Sequence, residues 1–234
     1  MMSANPRWRT AANEGRQGAV SGSLRGQKSD ANSAVGGIGG GVGCKEIIVS
    51  HLLDFEAVAE KLVLLQHLAH GSEQYCRERL TGSEYDAGDG ALDEYWSWVK
   101  GLVSGYTLEC CIRLRVLLDT VAGKPGADKI VGLDAAARSG LVIGQVVDGK
   151  FELTLREICN KIIHAQKAIP VWATGIERDV EFKYWSGDYD LSGTKGNESW
   201  RLILHVAPWA KSADRFLEKA ESAELTSNVG QDWY

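Results

Sequence analysis

One short stretch carries side chains of the kind that handle phosphate and move protons. Laid out at about 100° per residue, the segment from Leu155 to Ile169 puts Leu155, Ile158, Cys159, Ile162 and Ile169 on one apolar face. Arg156, Asn160, His164 and Lys167 fall opposite or beside that face. A guanidinium, an amide, an imidazole and an ammonium in a row are donors for an anion such as phosphate. The imidazole is also the group best suited to proton transfer near neutral pH. The same pattern describes any surface helix with a polar side, so chemistry does not follow from periodicity alone.

The elements that must position these residues are mostly helical. Ile47, Ile48, Leu52, Phe55, Val58, Leu62, Leu65 and Leu68 recur at helical spacing, which predicts a first long helix from about Lys45 to His70. Residues 71–90, rich in Gly, Ser and Asp, read as a polar connection with at most a helical turn at 73–80. A second helix is expected from Leu92 to Val121, apolar all round in its second half and therefore central. Within it, Glu109 and Arg113, and Arg115 and Asp119, are spaced for ion pairs. Ala127–Ser139 suggests a short helix, and Val146–Phe151 carries a hairpin's turn signal. Thr154-Leu155-Arg156-Glu157 is a capping box that opens a third helix, expected to run to about Lys167. Alternating segments at 180–185 and 200–206, with 170–176, predict a small antiparallel sheet whose turn spans 187–197. A last helix is expected at 207–222, followed by a frayed end at 223–234. The reading is thus a mainly α, α+β domain at 44–222: about four main helices with a sheet inserted at about 170–206, before the last helix.

Composition narrows the classes. Of 234 residues, 26 are basic and 31 acidic, for a net charge of -5. That balance argues against a general nucleic-acid coat protein but allows a local basic stripe. No run of apolar residues is long enough to span a membrane, and no secretory signal is legible at the N-terminus. Five cysteines without framework or zinc spacing read as buried, reduced thiols in a cytoplasmic protein. His67 and His70 share a helical face but lack a third ligand, so neither metal nor cofactor is expected. Residues 1–43 are Gly, Ser and Ala rich and predict a flexible tail. Its Arg-rich, acid-poor composition also fits a transit peptide or a nucleic-acid contact.

The string Leu155-Arg156-Glu157-Ile158-Cys159-Asn160-Lys161-Ile162-Ile163-His164-Ala165 resembles the late-helix signature of HEPN domains. That motif is an Arg, a polar residue, three variable residues and a His. Asn160 and His164 match, Cys159 stands at the Arg position, and Arg156 lies one turn earlier, with seven residues between it and His164. The resemblance covers residues 45–222 in outline and implies a helical bundle. Many such proteins are metal-independent RNases, toxins or antiphage effectors that pair as homodimers across their motif helices, and some answer to an antitoxin. It implies His164 for acid/base work and Asn160 for orientation. With Cys159 at the Arg position, the cationic role falls outside the family's pattern, to Arg156 as the catalytic cation, with Lys167 and Arg113 as the other candidates, holding substrate. A non-catalytic HEPN-like module that binds nucleotide or RNA is the alternative, favoured by Cys159. An unrelated helical interaction protein, its eight tryptophans forming a binding surface, is the third reading.

Overall fold

The computed structural model describes residues 54–81, 91–122 and 128–225. The expected flexible tail, the start of the first helix before residue 54 and most of the expected frayed end lie outside them. The fold is α+β: five helices and one four-stranded antiparallel sheet. In chain order these are α1 (Phe55–Thr81), α2 (Ala91–Ala122), α3 (Lys129–Arg138), β1 (Gly144–Asp148), α4 (Leu155–Ile163), β2 (Lys167–Glu177), β3 (Val180–Lys195), β4 (Glu198–His205) and α5 (Val206–Ser222).

Asp54 caps α1, its Oδ1 accepting the Ala57 amide at 2.9 Å. The helix then continues eleven residues beyond the expected end, through Gly71 to Thr81. Tertiary contacts override the polar composition there: buried Ser72 accepts the Trp185 backbone amide at 3.0 Å, and buried Cys76 packs on Phe182. The second and last helices match their expected spans closely.

The sheet departs most from expectation. Its order is β1-β4-β3-β2, so the turn signal at 146–151 opens no local hairpin. Instead β1 pairs with β4, more than fifty residues later. Nor is 187–197 a turn: β3 runs straight through it, and the chain reverses at Arg178–Asp179 and at Gly196–Asn197. Arg178 and Asp179 both take positive φ (52° and 65°), as a two-residue hairpin requires. The alternation is also broken within β3: Phe182 is buried, and the buried positions then change parity to the odd ones from Trp185 to Gly193. Pairing with β2 slips between Pro170 and Trp172, opposite Tyr189 and Trp185. Gly187 (φ 87°) sits in this irregularity, where a Cβ would come within 3.3 Å of Ala69 on α1. The sheet is therefore no insertion. Trp185, Leu191, Trp200, Leu202 and Leu204 share one core with Leu62 and Leu65 of α1, Leu114 and Leu117 of α2 and Trp209 and Phe216 of α5. No helix among the described residues is long and apolar enough to cross a membrane.

Candidate functional site

Two anchors fix where α4 begins. Thr154 Oγ1 accepts the Glu157 amide at 3.1 Å, which is the expected cap. Asp134 of α3, bound by Arg138 at 3.0 and 3.1 Å, accepts the Leu155 amide at 3.2 Å. Both carboxylate and hydroxyl thus satisfy amides that a helix start leaves without partners. Glu157 does not reach back to the cap. Its carboxylate faces Lys161 Nζ at 3.5 Å and accepts from Asn160 Nδ2 at 3.4 Å.

The helix ends at Ile163, four residues early, with His164 as its C-terminal cap residue. From Gln166 the backbone pairs with β3, the Gln166 amide donating to Ser192 O at 2.9 Å. Strand pairing thus captures the segment before Pro170, which could not have stayed helical in any case. Lys167 and Ile169 consequently stand on an exposed strand rather than on the two faces of α4.

The expected site residues divide into four places. Arg156 donates to Leu118 O at 3.1 Å and pairs with Asp119 Oδ1 at 2.7 Å. Arg115 bridges Asp119 Oδ2 (2.7 Å) and Asn160 Oδ1. Arg156 and Asn160 are therefore joined through α2, and both oxygens of Asp119 are used. Arg115 heads the causes that hold the Asp119 carboxyl below its usual range, with the charge of Arg156 adding to it. Arg113 is not there. Two residues along a helix turn the side chain about 200°, and Arg113 pairs with Glu109 (2.9 Å) and Asp54 O (3.2 Å) beside α1. Lys167 lies at the start of β2, opposite Ser192.

His164 occupies the fourth place. Its exposed ring makes no hydrogen bond within the described residues, and it lines a cavity of about 270 Å³. Asn160 and Lys161 of α4 share that cavity with Thr194, Lys195 and Trp200 from the β3–β4 hairpin. Gly193 makes the fit: a Cβ there would meet Trp200 Cζ2 at 2.7 Å and the His164 carbonyl at 3.2 Å. Lys161 is the unexpected member. Its side chain is 8% exposed, with Nζ 4.3 Å from the Phe151 ring centre and 4.5 Å from that of Trp200. A buried ammonium needs such compensation, and two ring faces with one carboxylate supply it. The i,i+4 spacing of Glu157 and Lys161 was the one sequence signal for it; Lys195 and Trp200 had none.

No family model, curated protein or solved structure matches this chain.

The position that the HEPN motif gives to Arg is settled by geometry. Cys159 is fully buried and lies in the same core as Cys110 and Cys111 of α2. A residue there points into the core, away from both polar groups of α4. Burial pushes the neighbouring Cys110 thiol up to about 12 and raises that of Cys111, so these two sulfurs are packing atoms rather than nucleophiles. Among the described residues, no group of three or more His, Cys, Asp or Glu side chains could hold a metal ion.

Proposed function

We propose that this chain is a HEPN-like protein whose α4 cleft binds a nucleotide or single-stranded RNA without cutting it. One observation carries the reading. Lys161, Lys195 and His164 border a single cavity, yet only Lys161 has a carboxylate partner. Lys195 and the His164 ring remain available to an anion, and Trp200 offers an aromatic edge beside them. Core placement of residue 159, and the engagement of Arg115 and Arg156 with Asp119, leave no free guanidinium on α4 to stabilise a pentavalent phosphorane.

A second reading is favoured by the unpartnered His164 ring: a metal-independent endoribonuclease of toxin or antiphage type, acting as a homodimer and answering to an antitoxin. There His164 would take the 2′-hydroxyl proton, the 2′-oxygen would bond to phosphorus, and the 5′-oxygen would leave. Lys195, which shares the cavity with His164, would then supply charge for the phosphorane in place of Arg156. In either reading the buried, reduced thiols suit the cytoplasm.

The test is a titration of labelled single-stranded RNA in EDTA, followed by anisotropy and by gel. Binding that Lys195→Met weakens about tenfold, with intact RNA, supports the proposal. Cyclic-phosphate products that vanish in His164→Ala would move the chain to the second reading. Absence of binding at low salt would sink both.

A further inference from the structure

The cavity at His164 is one of two that meet at α4. A larger one, about 490 Å³, lies on the other side of Lys161 and Trp200, and the two share Glu157, Lys161, Lys195 and Trp200 as a common wall. The smaller alone falls short of the roughly 300–1,000 Å³ usual for a ligand of drug size, while the larger lies within it.

Their linings differ in kind. In the smaller, the single carboxylate, Glu157, is matched by Lys161, which leaves Lys195 and the His164 ring for a negative group. In the larger, Lys150, Lys161 and Lys195 are matched by Glu152, Glu157 and Glu198, so no charge of either sign prevails. What distinguishes it is the Phe151 ring together with the hydroxyls of Thr154 and Ser199. An aromatic floor with scattered donors and acceptors suits a flat, neutral heterocycle. An anion at one end and a heterocycle at the other, joined over a short sill, is the outline of a nucleotide.

We infer that the cleft takes a nucleoside phosphate in one orientation, with phosphate in the His164–Lys195 chamber, the ribose over Trp200 and the base in the Phe151–Ser199 chamber. This inference rests on the binding function proposed above and adds to it the ligand's size, direction and base requirement. A free mononucleotide and one nucleotide of an RNA chain present the same chemistry.

Two exposed positions separate the chambers. Thr194 lines only the smaller and Ser199 only the larger, although the two are paired across the β3–β4 hairpin. Thr194→Trp and Ser199→Trp each plug one chamber, and circular dichroism with a melting curve verifies that each variant folds. Isothermal titration in EDTA then compares inorganic phosphate, ribose 5-phosphate, adenosine, adenosine 5′-monophosphate and a short single-stranded RNA on the full chain.

The expected result is that the monophosphate binds wild type at least about tenfold tighter than ribose 5-phosphate, the worth of one stacked base. Ser199→Trp should abolish that preference and leave ribose 5-phosphate unaffected; Thr194→Trp should weaken both. If only the RNA binds, the same Ser199→Trp loss in the RNA arm supports the assignment with RNA as its source. A base preference that survives Ser199→Trp overturns the orientation, while RNA binding abolished by Thr194→Trp would leave the broader binding function standing. Absence of binding by every ligand overturns both.

Discussion

Two polar groups meet around α4, one on the helix and α2, the other at its C-terminal end and the β3–β4 hairpin, and they behave oppositely in the fold. Arg156 and Asn160 belong to a chain with Arg115 and Asp119 in which each guanidinium is paired with the Asp119 carboxylate. His164 and Lys195 border a cleft and are held by no carboxylate within the described residues. The first group ties α4 to α2; the second is left for something outside the chain. Residue type identifies candidates, and only the partner count separates an ion-pair clasp from a binding site.

The strongest way to break this contrast is to give α4 the guanidinium that the HEPN motif expects. Cys159→Arg would bury a charge at a position with no exposure, beside Cys111, and should cost about 3–5 kcal/mol or prevent folding. A urea titration reads this out. A variant of near wild-type stability would mean that residue 159 can reach the cleft, and the RNase reading would gain.

Next in size, Lys195→Met should reduce RNA affinity about tenfold, near 1.4 kcal/mol, and move the melting midpoint little, since Lys195 is exposed. Arg115→Ala sharpens the comparison from the other side. It strips Asn160 and Asp119 of a shared donor and should cost about 1–2 kcal/mol of stability while leaving RNA affinity unchanged.

The smallest effect is a pH dependence. The Asp119 carboxyl is lowered when folded, so its contribution is fully present above its unfolded value near 3.8 and is lost as acid takes the pH down through the lower folded value. The group is half exposed, which keeps the contribution under about 1 kcal/mol. Denaturant midpoints of wild type should fall more than those of Asp119→Asn between pH 5 and about pH 3.

Much of the fold was legible where local rules and tertiary packing agreed. The Thr154 cap, the apolar spine of α2 and the strongly amphipathic α5 formed as read. The failures share a physical cause: distant partners decided them. Strand β1 finds β4 only after α4 has intervened, α1 is drawn past Gly71 by contacts with β3, and β2 takes Lys167 from α4 by pairing with β3. The buried positions of β3 also change parity between Phe182 and Trp185, so a single period-2 reading could not span it. For the site, Asn160 and His164 were legible from one helix, whereas Arg115, Lys161, Lys195 and Trp200 came together only through α2, the aromatic wall and the hairpin. Arg113 was misplaced for the plainest reason: on α2 it faces α1, while its near neighbour Arg115 faces α4.

The central contrast can be watched directly by nuclear magnetic resonance. Isotopically labelled protein titrated with a short single-stranded RNA in EDTA should show its largest shifts at the His164 ring and at the Thr194, Lys195 and Ser199 amides. The Arg156 and Arg115 side-chain signals should stay in place. Shifts centred on Arg115 and Arg156, or none at all, would contradict the account and make the α4 cleft a feature of packing alone.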